Sequence, residues 1–363
     1  MDILGQTSIQ VILFYILYAI TGAMPLFAAL YLLLRRGNAF APDTTPPVRL
    51  RRWAASFFAV SALGHVWWML LYIYSRDIHS ASFVVIGVLD RVVLFTTIAG
   101  TLLAMLQDRR RPVWPAFTAM IPCVVLGMLQ IFYPDVSFMD IASKYILSVY
   151  VLFSVYMVFA VQKYDRWLND NYADLENKKV WLSQVVTLVC MLLIIIYEFA
   201  YSYTILYLLH FIELLFFGLL LWRVETLPQL DSILTPAPSP KEKGVSTIDL
   251  QQIERLLKEH CVATQLYLQH ELSREQLAVA VGTNRSYLSQ FFSRQGITYN
   301  TYINNLRINH FIKRYEETVA AGQSVGVKQL VHESGFSSYR TFSRAFTQRM
   351  GQSVTAWMGQ SAE

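Results

Sequence analysis

Two short stretches near the C-terminus set arginine, glutamine, asparagine and serine at helical spacing between buried-type leucines and phenylalanines. In the first, Asn284, Arg285, Ser286, Ser289, Gln290 and Arg294 alternate with Leu288 and with Phe291 or Phe292. In the second, Ser337, Ser338, Arg340, Ser343, Arg344 and Gln348 alternate with Phe336, Phe342 and Phe346. These polar types read DNA. A guanidinium forks onto guanine and an amide onto adenine, at about 1–3 kcal/mol per good pair. Arginine and serine near a helix start also grip phosphate, without sequence information. Arg285, Gln290, Arg340 and Arg344 are the strongest candidates for bases or adjacent phosphates.

A second set of chemically capable residues lies inside long apolar runs: His65, Asp90, Arg91, His210 and Glu213. Ionisable groups are costly in hydrocarbon and face the interior of a helix bundle. Two readings stand. They line a pocket for a small-molecule or lipid signal, or Asp90 or Glu213 pairs with Arg91 or a histidine to hold helices together. His210 and Glu213 are three apart on one helix face, but no second such pair accompanies them, so no metal is expected. Cys123, Cys190 and Cys261 have no metal or disulfide spacing. No nucleophile–base set, phosphate loop or cofactor motif is evident, and an enzyme is not expected.

The elements that must position these residues differ sharply between the halves of the chain. Of 363 residues, 55% are hydrophobic and only 15% charged, with a net charge of +5. Charged residues are denser after Arg223 than before it, and nearly all long apolar runs precede it. One fold in one solvent would not segregate this way. Ile3 to Leu34 contains no charged residue, which exceeds the roughly 20 residues needed to cross hydrocarbon. Further spans are predicted at Trp53–Ser75, Phe83–Leu106, Val113–Tyr133, Ile141–Val161, Val180–Tyr197 and Thr204–Trp222. The first run lacks the basic start of a cleaved signal, so a retained helix is expected.

Charge sets the orientation. Arg35, Arg36, Arg49, Arg51 and Arg52 follow the first span, and Arg109, Arg110 and Arg111 the third. Lys163, Arg166, Lys178 and Lys179 follow the fifth, and Arg223 ends the last. The alternate loops hold only Arg76 and Lys144. Positive loops stay inside. The reading is a seven-span, multi-pass protein of the cell (inner) membrane with its N-terminus outside and its C-terminal domain in the cytoplasm.

Residues 1–223 are thus read as the transmembrane domain, 224–246 as a linker and 247–363 as a DNA-binding domain. Pro228, Pro236, Pro238 and Pro240 exclude a continuous helix in the linker. Ser246-Thr-Ile-Asp249 reads as a capping box opening a helix with Leu250, Ile253, Leu256 and Leu257 inward. Ser273-Arg-Glu-Gln276 opens another, followed by Gly282 and a second helix from Arg285. That order is a helix-turn-helix. It repeats: Val327–Val331, then Gly335-Phe336, then a helix from about Ser337, with a long helix, roughly Tyr299–Glu317, between the two units.

On these residues, Leu272–Trp357 resembles the AraC/XylS family of transcription regulators. The match runs through Leu277-Ala278, Tyr287-Leu288-Ser289, Phe292, Gly296, Tyr302, Arg307-Ile308, Gly335-Phe336, Phe342-Ser343-Arg344, Phe346 and Gly351. The resemblance implies two recognition helices in successive major grooves of double-stranded DNA, with Arg307 structural. It also makes contact with RNA polymerase and a role in activation expectations. The chain departs from the family pattern at Val331 and Phe311, where alanine is usual, and at Thr341, where tyrosine is common. Ser353-Val354 replaces the usual Thr-Pro.

The fold class expected is therefore all-α: a seven-helix transmembrane bundle plus an AraC-type domain. The function expected is a membrane-bound, sequence-specific regulator that senses a signal through its bundle, with the bilayer and DNA as partners and homodimerisation through the membrane helices. Two alternatives are a membrane sensor whose helix-turn-helix domain is a protein-interaction module, and a transporter with a regulatory tail.

Overall fold

The computed structural model describes residues 9–74, 80–175, 178–182, 185–186, 189, 203–230, 250–324 and 326–360. Most of the described residues are helical, and they contain no named strand. They pack as two units: Met1–Tyr164 with Val180–Thr235, and Asp165–Lys179 with Pro236–Glu363.

The first unit is built from α1 (Ile9–Leu34), α2 (Val48–Tyr74), α3 (Ala81–Met105), α4 (Trp114–Thr118), α5 (Ile121–Phe132), the greater part of α6 (Phe138–Asn171) and α7 (Tyr203–Thr226). Among the described residues, six segments, with α4 and α5 counted as one, are long and apolar enough to cross a membrane. The predicted span Val180–Tyr197 lies largely outside the described residues. Pro115 and Pro122 sit in the first turns of α4 and α5, where a missing N–H costs nothing. They divide one apolar stretch into two helices.

One end of this bundle is tied by polar contacts between helix termini. The Arg35 guanidinium is 2.7 Å from the buried Glu225 carboxylate, to which the Tyr31 hydroxyl also donates. Asn38 donates to the Glu225 carbonyl, Arg51 to the Leu32 carbonyl, and Arg49 to the Arg111 carbonyl. Tyr164 of α6 lies within electrostatic reach of Arg223. The ends of α1, α3, α6 and α7 therefore share one side of the bundle, and most of the arginines read as orientation markers are there. Leu227 and Leu230 are buried in this unit, and the Gln107 amide donates to the Pro228 carbonyl while accepting from the Leu230 N–H. The start of the expected tether is thus packed. Residues 231–249, including the capping box read at Ser246–Asp249, lie outside the described residues.

The second unit contains α8 (Leu250–Leu257), α9 (Arg274–Val281), α10 (Arg285–Arg294), α11 (Tyr299–Ala320), α12 (Val327–Glu333), α13 (Tyr339–Met350) and α14 (Val354–Gln360). Its apolar core falls in two clusters. One joins Ile253, Leu257, Leu277, Ala278, Leu288, Phe292 and Ile303. The other joins Ile308, Phe311, Leu330, Val331, Phe336, Phe342 and Phe346. The long α11 runs through both and so fixes the two halves to one rigid axis.

Candidate nucleic-acid interface and a polar cluster among the apolar helices

In the second unit α9 opens with a complete capping box: the Gln276 N–H donates to Ser273 Oγ, and the Ser273 N–H donates to Gln276 Oε1. Gly282 ends the helix in the left-handed region at φ +73°. Asn284 then caps α10, its Oδ1 accepting from the Tyr287 N–H at 2.9 Å. The second half repeats this order. α12 ends at Glu333 with Ser334 as its C-cap, Gly335 takes φ +86°, and Ser338 caps α13 by accepting from the Thr341 N–H. A Cβ at Gly335 would lie 2.8 Å from the backbone of Leu268, so this turn also needs the bare backbone for packing.

Each second helix is seated on α11 by aromatic contacts. Phe292 of α10 meets Tyr299 and Tyr302. Phe342 of α13 lies 4.5 Å from Phe311, which also contacts Phe346 and Trp357. The large Phe311, where the family pattern favours alanine, thus fills the second core. Arg349 donates to the Asn305 carbonyl and to Asn309 Oδ1, fastening the end of α13 to α11. Residues 277–360 match the family model described as a helix-turn-helix domain.

This part of the chain is an AraC-type helix-turn-helix domain.

Over 90 residues the chain is also 31% identical to the protein named Uncharacterized HTH-type transcriptional regulator YijO of Escherichia coli (strain K12). The match covers 24% of this chain and 30% of that protein, so it spans less than a third of the relative. No solved structure matches.

Within the AraC-type domain, Ser286, Gln290 and Arg294 of α10 are exposed, as are Arg340, Arg344 and Gln348 of α13. Ser289 and Ser343 are half-buried beside them. Arg340, Ser343, Arg344 and Gln348 line one open concavity together with Tyr339 and Thr347, which sequence reasoning had not singled out. Arg285 stands 3.7 Å from Glu275 on the preceding helix. Asn284 and Ser338 use their side-chain oxygens as helix caps, a role that the same residue types fill as readily as DNA contact. Arg307 is interior. It is 1% exposed, donates to the carbonyls of Tyr267 and Gln269 at 2.7 Å each, and lies over the Phe336 ring. It fastens the loop before α9 to the turn of the second half.

The second unit also includes Asp165–Lys179, the end of α6 and the turn after it, which sequence reading had assigned to a loop between spans. Ala173 is fully buried in the core of the first helix-turn-helix. Asn300 of α11 donates to the carbonyls of Tyr172 and Ala173, and Asn304 reaches the latter at 3.3 Å. Tyr172 forms an antiparallel bridge with Ser273. Arg274 donates to Asn171 Oδ1, and Lys178 pairs with Glu271 at 2.5 Å. The Ser337 hydroxyl, one residue before the cap of α13, donates to the Asp174 carboxylate. Asp165 and Lys179 lie within electrostatic reach of Arg344. An acidic carboxylate thus meets the start of the second recognition helix, where a DNA phosphate would be held. No local pattern signals this insertion, because its partners are about a hundred residues away.

In the first unit, His65 of α2 joins His210 and Glu213 of α7. His65 Nε2 is 3.8 Å and His210 Nδ1 3.3 Å from Glu213 Oε2. Thr21 and Tyr18 of α1, not singled out in the sequence, border the cluster. Asp90 of α3 accepts from the Trp68 indole N–H at 3.1 Å and stands within electrostatic reach of His65 and Glu213. Gly64 gives Asp90 the room to approach α2, since a Cβ there would lie 3.0 Å from Asp90 Oδ1. Arg91 stands within electrostatic reach of Asp90 and Cys123. Both readings of these residues, a pocket lining and a helix tie, draw on the same inward placement.

Proposed function

We propose that the chain is a membrane-bound, sequence-specific transcription regulator whose apolar helices sense a signal and whose AraC-type domain reads promoter DNA from the cytoplasmic side. The observation that carries this reading is the concavity along α13, where Arg340, Ser343, Arg344 and Gln348 stand out from a helix seated on α11 by its phenylalanines. Arginine and glutamine on an exposed recognition helix supply both phosphate neutralisation and base-edge readout.

Membrane placement draws on the outward faces of the first unit. Phe27, Leu152 and Phe159 are 69%, 70% and 65% exposed, and similar residues cover the flanks of every long helix. A soluble protein rarely leaves apolar surface of that extent to water. The shared helix ends, rich in arginine, then face the cytoplasm by the positive-inside rule, which puts the C-terminal domain there. We take Asp165–Lys179 as the route of coupling. This segment continues a helix of the first unit and is built into the DNA-binding fold, so a change in α6 alters the AraC-type domain directly. A signal acts through it only by binding two states of the bundle unequally.

The test uses the full chain in lipid nanodiscs, titrated with duplex DNA from upstream of its own coding region at several salt concentrations. Specific binding that weakens steeply with salt, and that loses about 1–3 kcal/mol in each of Arg340→Ala and Arg344→Ala, is the expected result. Absence of DNA binding even at low salt would favour a protein-interaction role for the helix-turn-helix surface.

A further inference from the structure

The polar cluster between α2 and α7 gathers several lone pairs around few protons. His65 Nδ1 lies 2.9 Å from the Ser61 carbonyl, which can only accept, so this nitrogen holds the ring's proton. In the neutral ring, Nε2 then presents a lone pair toward the Glu213 carboxylate, itself an acceptor. Thr21 Oγ1 donates to the Leu17 carbonyl at 2.7 Å and turns a lone pair to His210 Nδ1, 3.5 Å away. Acceptors thus converge from three helices with one ring proton to share among them.

We propose that His65, His210 and Glu213 form a binding site for a divalent transition-metal cation of the zinc class. The donor set is two imidazole nitrogens and one carboxylate oxygen, with all three ligand atoms within 4.8 Å of one another. Ligands about 2.0–2.1 Å from a tetrahedral zinc ion stand roughly 3.3 Å apart. The His210–Glu213 separation already equals this, and the His65–Glu213 separation exceeds it by half an ångström. The Ser61 carbonyl holds the His65 tautomer in the way that outer partners orient metal-bound imidazoles. Tyr18 packs 5.1 Å from the His65 ring and 5.5 Å from the His210 ring, with Phe14 also 5.5 Å from His210. The Tyr18 hydroxyl donates to the His65 carbonyl at 2.8 Å. Gly22 leaves space for the imidazole, since a Cβ there would come within 3.1 Å of His65 Cβ. Three protein ligands leave a fourth position for water or another small ligand, the pattern of an open site. Asp90, within electrostatic reach of His65 and Glu213, adds a second acidic side chain beside the site.

The full chain in nanodiscs, stripped with chelator, is titrated with Zn2+ by calorimetry and with Co2+ by its visible absorption. One metal per chain is expected, with a tetrahedral Co2+ spectrum that Zn2+ abolishes. Affinity falls at least tenfold in each of His65→Ala, His210→Ala and the isosteric Glu213→Gln. The last variant preserves the packing, so loss of metal there cannot be put down to misfolding. No stoichiometric binding by the parent chain, or unchanged binding in Glu213→Gln and the double histidine variant, would overturn the site. A cluster that takes up protons but no metal would overturn it too. This binding needs no DNA. The metal's further role as the signal rests on the regulator reading, which the DNA titration of metal-free chain tests separately.

Discussion

The two units place their chemistry on opposite sides of their helices. In the first, the outward surface is Phe, Leu and Ile, and the polar groups converge inward at His65, His210, Glu213 and Asp90. In the second, phenylalanines and leucines fill the interior, and Arg340, Arg344 and Gln290 face out. On the membrane placement proposed above, the solvent decides the arrangement: hydrocarbon accepts apolar faces and penalises ionisable ones, and water does the reverse. An exposed phenylalanine in the first unit and an exposed arginine in the second are therefore equally ordinary. The informative residues are those that break the local rule, a charge turned inward or a backbone forced into contact.

Arg307 is the sharpest exception, at 1% exposure the most deeply buried of the second unit's buried charged side chains, which include Asp174 and Lys178. Arg307→Leu removes donors to two buried carbonyls and is expected to cost about 3–5 kcal/mol. It should read out as a lowered unfolding midpoint of the second unit, with the melting of the first unit unchanged. An equal loss in both units would show that the two do not fold independently. Next in size, Gly335→Ala combines left-handed strain of about 1–2 kcal/mol with a clash against Leu268 that adds about 1–3 kcal/mol. Gly282→Ala has the same sign of φ but open space around it, so only the strain is expected. Equal costs in the two variants, measured by denaturant unfolding, would remove the packing role given to Gly335. Arg344→Ala should leave unfolding within about 0.5 kcal/mol of the parent while weakening DNA binding as above, which separates outward chemistry from inward support.

The smallest effect is on pH. Burial, with His332 and Arg307 beside it, holds His270 below the ordinary histidine range, against the pull of the Gly335 backbone and Asp174. Burial and Arg314 do the same to His310. Both groups resist protonation in the folded unit, while the unfolded chain takes up protons near pH 6.5. The stability is therefore complete above about pH 6.5, declines as pH falls toward the depressed folded values and then levels off. A thermal midpoint of the second unit that rises on acidification would contradict this assignment.

Much of the DNA-binding half was legible because its signals are local. Gly282 and Gly335 mark the two turns, Ser273 and Gln276 mark a helix start, and Phe336, Phe342 and Phe346 mark a buried face. The apolar runs likewise announced the long helices, and arginine placement announced the shared end of the bundle. Asn284 and Ser338 show one limit, because a cap and a phosphate contact call for the same oxygen at the same position. His65 shows another. Nothing in its neighbourhood says that it meets a histidine and a glutamate some 145 residues further on. Ala173 is the extreme case, a small apolar residue in a polar turn whose burial depends entirely on distant partners.

That same residue bears on how the proposed membrane-bound regulator could ever be freed from its anchor. A protease that cuts between residues 231 and 249 severs the backbone once, yet Ala173 stays in the core of the severed domain, with Asn300 and Asn304 still holding its carbonyl. The released piece would not leave as an intact transcription factor. It would have to surrender part of its own interior first.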